Sequence, residues 1–318
     1  MKRTPWPHHV AALLCFGALL GPATALASGS SAPQPPTPFS FIAFGDMPYG
    51  QSAEVYQRYT ELLQVIDAQN PAFSVHVGDI KSGSTPCSDE LLRQVRDSFQ
   101  TLKHPLIYTP GDNEWTDCHR EKAGRYDPLE RLAFLRREFF GAGGQSLGAA
   151  PMPLTSQTDL PENTRWQRGG VTFATLHVVG SNNGLERNAQ MAGEYFTRNA
   201  ANLAWLKGTF AQARESGSAG VVLVMQADMF EQPGLSGFAD MLSALKAEAA
   251  AFAGPVLLVH GDSHVLKFDQ PFNTYDDSSA PNIFRLEVPG DQRMQAVQVT
   301  VDAARPEVFS FRVLGTPN

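Results

Sequence analysis

Five short apolar runs recur along the chain, and each is closed by an aspartate. Phe39–Phe44 leads into Gly45-Asp46, and Phe73–Val77 into Gly78-Asp79. Leu106–Tyr108 runs through Thr109-Pro110 into Gly111-Asp112, Val221–Met225 through Gln226 to Asp228, and Val256–His260 into Gly261-Asp262. Runs this short, rich in Val, Ile, Leu and Phe, have the character of strands buried on both faces. Between them apolar residues return at helical spacing. Val55, Tyr56, Tyr59, Leu62, Leu63 and Ile66 stop before Asn70-Pro71, and Leu91, Leu92, Val95, Phe99 and Leu102 follow a capping Ser88. Leu132, Leu135 and Phe139 follow Asp127-Pro128; Leu203, Leu206 and Phe210 mark a fourth helix, and Phe238, Leu242 and Leu245 a fifth. Asp46 to Asp79 and Asp79 to Asp112 are each 33 residues, and Asp228 to Asp262 is 34, about one strand–helix unit each time.

Strands alternating with helices predict an α/β layered fold with mainly parallel strands, whose carboxyl ends share the edge where ligands bind. The aspartates should therefore converge. A lone Gly-Asp after a strand is ordinarily a turn or a cap, but several bare carboxylates at one edge repel one another. One or two divalent cations are the economical counter-charge. The later runs Ile283–Val288, Met294–Val301 and Val308–Val313 have no long helix between them and predict antiparallel pairing in a second sheet packed on the first. The Gly/Pro-rich stretch 141–170 reads as a surface excursion near the site.

Composition narrows the class. The chain has 318 residues, 42% hydrophobic and 18% charged, which excludes a disordered, collagen-like or small disulfide-stapled protein. Lys2 and Arg3, the apolar run Val10–Leu20 and Ala25-Leu26-Ala27 read as a signal peptide over residues 1–27, with an uncleaved anchor as the alternative. A Pro/Ser-rich leader spans 28–38, and a single domain is expected over 39–318. Such a chain is exported, periplasmic or secreted, with no membrane attachment once the signal is removed. The net charge of −7 and the lack of any Lys/Arg block argue against nucleic acid as a partner. In an oxidising compartment Cys87 and Cys118 tend to pair, the alternative being two unrelated thiols.

Asp46 in GDMPYG, Asp79 in GDIKSG, PGDNEW at 110–115 and GDSH at 261–264 together resemble the motifs of calcineurin-like metallophosphoesterases. The resemblance covers roughly residues 39–265 and implies a four-layer α/β/β/α sandwich with two divalent metal ions at the strand ends. Carried over residue by residue, one metal would see Asp46, Asp79 and His264, and the other Asp79, Asp112, Asp262 and Gln226, with the nearby Asp228 as the alternative to Gln226. The chain departs from the family in several places. Pro48 replaces the His of the first motif, Asp112 stands for a ligand Asn, Asn113 for the catalytic His, and Asp262 for the first His of the last motif. One imidazole among oxygen donors suits Mg²⁺, Mn²⁺ or Ca²⁺ better than zinc.

The resemblance implies hydrolysis of a small phosphorylated substrate through a metal-bound hydroxide. Asn113 cannot donate a proton as His does, so activity is expected on activated leaving groups, or with another acid such as His119 or His177. Arg120 is a candidate to hold a phosphate oxygen, and Asn182 sits in the candidate substrate loop Ser181–Gly184. Ordinary roles stand beside these: His177 and His76 as core histidines, and Ser181–Gly184 as a turn. The alternative function is a catalytically impaired member of the fold, acting as a metal- or partner-binding module.

Overall fold

The computed structural model describes residues 36–315, except 142, 232, 233, 235 and 276–279. The expected signal peptide and most of the 28–38 leader lie outside the described residues. The strands are β1 (Phe39–Phe44), β2 (Ser74–His76), β3 (Leu106–Tyr108), β4 (Thr155–Ser156), β5 (Thr164–Arg168) and β6 (Val171–Thr175), then β7 (Gly220–Val224), β8 (Val256–His260), β9 (Lys267–Asp269), β10 (Ile283–Glu287), β11 (Ala296–Val301) and β12 (Phe309–Leu314). They form a five-stranded sheet in the order β12-β11-β1-β2-β3 and a seven-stranded sheet in the order β4-β5-β6-β7-β8-β10-β9. Strands β1–β3 of one sheet and β6, β7, β8 and β10 of the other are parallel.

Side-chain alternation along these strands builds the layers. In β1, Ile42 and Phe44 pack with Tyr59, Leu63, Leu92 and Phe99 from the helices α1 (Ala53–Ala68) and α2 (Asp89–Phe99). Phe41 and Ala43 face the other way and join Phe73, Phe173, Val222, Leu257 and Val299 in a core between the sheets. Beyond the second sheet, Leu206 and Phe210 of a long helix (Ala189–Glu215), with Phe238, Met241 and Leu245 of another (Ser236–Ala250), cover Val221, Leu223 and Leu258. This is the α/β/β/α sandwich. Ser88 caps α2 as expected, its hydroxyl accepting from the Leu91 N–H at 3.3 Å, and Asp127 caps the helix Pro128–Leu135 through the Leu129 N–H. Among the described residues no helix is long and apolar enough to cross a membrane.

Two expectations are corrected. The C-terminal strands do not make a sheet of their own. β10 runs parallel to β8 in the seven-stranded sheet, while β11 pairs antiparallel with β1 and carries β12 as the edge of the five-stranded sheet. The chain between β10 and β11 crosses from one sheet to the other, so no intervening helix is needed. Nor is 141–170 only a surface excursion. It supplies β4 and β5, whose antiparallel pairing with β6 extends the seven-stranded sheet, and it buries Glu162, Asn163 and Thr164.

Candidate metal centre

The Gly-Asp corners bring their carboxylates to one end of both sheets. Asp46 follows β1, Asp79 follows β2, Asp112 follows β3 and Asp262 follows β8. Asp46, Asp79 and Asp262 adopt left-handed backbone with φ of 53°, 53° and 82°, and His264 does so with φ of 60°. Strained conformations held by surrounding structure collect at functional sites. The glycines beside them are required by close approach. A Cβ on Gly261 would collide with Asp46, and one on Gly111 with Asp79. A Cβ on Gly180 would stand 2.9 Å from both Asp112 Oδ2 and Asp262 Oδ1, which places those two acids on either side of one residue.

Each carboxylate is oriented by donors. Asp79 Oδ1 accepts from the Asn113 N–H at 3.1 Å, and its Oδ2 accepts from Asn113 Nδ2 at 2.7 Å and the Tyr49 hydroxyl at 3.0 Å. Asp112 Oδ2 accepts from Ser181 Oγ at 2.8 Å, and Asp262 Oδ2 from the Asp228 N–H at 3.1 Å. Asp46 Oδ1 accepts from the Asp262 N–H at 2.9 Å, while its Oδ2 is buried with no partner. His264 Nε2 lies 3.6 Å from Asp46 Oδ1, and Tyr49 packs edge-on against the imidazole at 5.1 Å. Gln226 Oε1 accepts from the Gly180 N–H at 2.6 Å and its Nε2 has no partner.

Electrostatics follow from burial and crowding. Desolvation pushes the Asp46 carboxyl up to about 7 against the pull of His264. Burial, then the charges of Asp112, Glu114, Asp46 and Asp262, hold Asp79 well above the usual carboxylate range. Asp262 is raised likewise by desolvation and by Asp112 and Asp46. Among the described residues no Lys or Arg forms an ion pair with Asp46, Asp79, Asp112 or Asp262. The neighbouring group Asp228, His260 and Glu287 also gathers three ligand-type atoms within 4.8 Å, but it is already neutralised. Lys267 Nζ lies 2.7 Å from Glu287 and 3.2 Å from Asp228, and Arg285 Nη1 lies 3.2 Å from Asp228. Asp228, the alternative to Gln226 as a ligand, is thus an ion-pair partner.

No family model matches the chain, and no curated protein matches it by sequence. Among solved structures it is similar to GAP50, the anchor in the inner membrane complex of Plasmodium, with a TM-score of 0.52 and 12% identity over 88% of this chain and 90% of that one. It is similar also to purple acid phosphatase PPD1 from yellow lupin (Lupinus luteus) seeds, with a TM-score of 0.52 and 11% identity over 87% of this chain. The match spans 54% of the lupin chain, about half its length. The fold is that of the calcineurin-like metallophosphoesterases. On this metallophosphoesterase fold, Asp46, Asp79, Asp112, Asn113, Asp262 and His264 meet at the strand ends, and Gln226 reaches the same corner through Gly180.

Other expected site residues stand apart. His177 lies in the interior: it is fully buried, its Nδ1 is 2.8 Å from the buried Glu162, and its ring packs on Trp115 at 5.3 Å. An imidazole enclosed in that way has no path to a leaving group, which corrects its assignment as a candidate acid. Asn182 lines a cavity of about 380 Å³ beside Asp112 and Asp262, but its Oδ1 accepts from the Gly237 N–H and so fixes a loop. His119 is exposed at the end of a short turn, with Nδ1 on the Thr116 carbonyl. Cys87 and Cys118 form the expected disulfide, and both sulfurs approach the Asn113 carbonyl, at 3.5 and 3.6 Å. The fully buried Glu114 is a loop anchor, its Oε1 accepting from the N–H groups of Asp79 and Gly111 and from the Tyr108 hydroxyl. Residues not anticipated at the site are Gly180, which arrives from a distant loop, and Asp117 with Arg187, which form an ion pair beside it.

Proposed function

We propose that the chain is an exported metal-dependent phosphoesterase acting on a small phosphate ester. The observation that supports this most is the convergence of four carboxylates with which, among the described residues, no Lys or Arg forms an ion pair, while Asp228 beside them pairs with Lys267 and Arg285, and Glu287 with Lys267. The donor set fits hard divalent cations. Asp46 keeps a buried oxygen without a partner, the donors are oxygen except for one imidazole, and such a set favours Mg²⁺, Mn²⁺ or Ca²⁺ over zinc. Asp46, Asp79 and His264 would hold one ion, and Asp79, Asp112, Asp262 and Gln226 a second. Such a pair would supply positive charge that acidifies water and offsets charge developing on phosphoryl oxygens.

The chain's own residues orient this reaction. Asn113 and Tyr49 fix Asp79 from one side, and Ser181 fixes Asp112 from another. A water oxygen forms a new bond to phosphorus and gives up a proton to solvent, while the ester P–O bond breaks and the leaving oxygen departs with the electron pair as an anion. Asn113, whose amide already donates to Asp79 and Tyr49, supplies no proton. Turnover is therefore restricted to esters whose leaving groups depart as stable anions. The same observation supports a second reading, a metal- or partner-binding module of this fold without turnover. The disulfide accords with an exported location.

The test is release of p-nitrophenolate from p-nitrophenyl phosphate and its bis ester by the chain loaded with Mn²⁺ or Mg²⁺. The expected result is turnover above the metal-only blank, reduced at least 100-fold by Asp79→Ala. Metal uptake without turnover of either ester supports the binding module.

A further inference from the structure

Beside the carboxylate cluster, two arginines converge on one buried acid that hydrolysis does not use. Asp117 is 2% exposed, with Arg120 Nη1 lying 2.7 Å from its Oδ2 and Arg187 Nη2 3.6 Å from its Oδ1 as ion-pair contacts. The two arginines come from segments that both close on Asp112. Arg120 ends the short turn Thr116–His119, in which the Asp117 N–H donates to the Asp112 carbonyl at 3.0 Å. Arg187 ends the loop whose Ser181 donates to the Asp112 carboxylate.

Charge and geometry leave this pair unsatisfied. Two guanidiniums share the one carboxylate of Asp117. Arg187 Nη1 is buried with no hydrogen-bond partner. A fork of five N–H donors left partly unused, and fixed in place, is suited to a planar or tetrahedral oxyanion. Burial, together with the neighbouring Arg120, pulls the Arg187 guanidinium below its ordinary value although Asp117 opposes the shift. Gly83 keeps the space between this pair and the cluster free of a side chain. A Cβ there would lie 2.9 Å from Arg120 Nη1 and 2.7 Å from Asn113 Oδ1, so Arg120 stands within a side chain's width of the residue that holds Asp79.

We propose that Arg120 and Arg187, splayed on Asp117, form a subsite for a second anionic group of the substrate. The substrate class is then a phosphate ester that carries another oxyanion, a carboxylate or a second phosphate, a short distance from the ester. The proposal rests on the phosphoesterase reading for the place of the first phosphate. Asp117 positions the two arginines and does not itself meet the substrate.

The test is calorimetric binding to the Mn²⁺-loaded full chain of three probes on one three-carbon frame: glycerol 3-phosphate, 3-phosphoglycerate and glycerol 1,3-bisphosphate. The expected result is at least tenfold tighter binding of one or both doubly anionic probes than of glycerol 3-phosphate. A gain with 3-phosphoglycerate alone identifies a carboxylate subsite, and with the bisphosphate alone a phosphate subsite. Arg187→Gln should cut that ratio below threefold, and Arg187→Lys should keep part of it. A thermal melt establishes that each variant folds; if Arg187→Gln does not, the same ratio measured on Arg120→Gln decides. Binding of glycerol 3-phosphate with a ratio near one, or a ratio that survives Arg187→Gln, overturns the subsite and leaves the phosphoesterase reading standing. Binding of none of the three overturns both.

Discussion

The backbone N–H of Asp262 donates to Asp46 Oδ1 at 2.9 Å across a separation of 216 residues. This bond joins the corner after the first strand of one sheet to the corner after a central strand of the other, and it is possible only because Gly261 has no side chain. Gly261→Ala would drive a methyl into Asp46. Overpacking of this kind typically costs about 1–3 kcal/mol, here concentrated at the cluster. Calorimetric titration with Mn²⁺ should show affinity weakened about tenfold or more, while unchanged affinity would mean that Asp46 is not a ligand.

Cations that bind only the folded chain stabilise it by mass action, by about 2.7 kcal/mol at a hundredfold excess over the dissociation constant. For a domain of this size that corresponds to a rise in Tm of roughly 5 °C. Chelator-treated protein should therefore melt lower, and Mn²⁺ should restore it. In Asp79→Asn the increment should shrink to less than half.

The Cys87–Cys118 bridge closes a separation of 31 residues, and on the loop-entropy account it contributes about 3–4 kcal/mol. The double variant Cys87→Ala/Cys118→Ala should lose about that much in urea unfolding. Because both sulfurs lie against the Asn113 carbonyl, the variant should also bind Mn²⁺ more weakly. A stability loss with metal affinity intact would show that Asn113 is held by other contacts.

Glu162 gives an acid-stability prediction away from the centre. Burial works against its charge, but the hydrogen bonds and charges of His177 and Arg136 hold its carboxyl at about 2, below its ordinary 4.5. A depressed carboxylate stabilises the fold above its unfolded value, and that stabilisation fades as pH falls toward the folded value. The shift corresponds to about 3 kcal/mol. Glu162→Gln should therefore destabilise the chain by that order at pH 7, and by progressively less from pH 4.5 toward 2. A difference independent of pH across that window would assign the loss to packing alone.

The strands and the converging aspartates are legible in the sequence because both are local signals: a short doubly buried run and the Gly-Asp corner that ends it. The helices are legible for the same reason, down to Ser88 as a cap. Partnership across the sheets is not. Ile283–Glu287 reads as an antiparallel strand, and it does pair antiparallel with β9, but its other edge runs parallel to β8, since the connection from β8 passes through β9 and a short helix. His177 reads as a strand residue near the site, but the strand ends at Thr175 and the imidazole turns inward to Glu162, itself within a stretch expected to be solvent-exposed. Gly180 and Arg187 carry no motif of their own; only the fold brings them to Asp112 and Asp117.

The most direct test of the central claim is the metal stoichiometry of the purified chain after dialysis against Mn²⁺, measured by elemental analysis alongside Asp79→Asn. Two ions per chain, falling to one or none in the variant, is the expected result. A wild-type chain that retains no divalent ion at all would contradict the account.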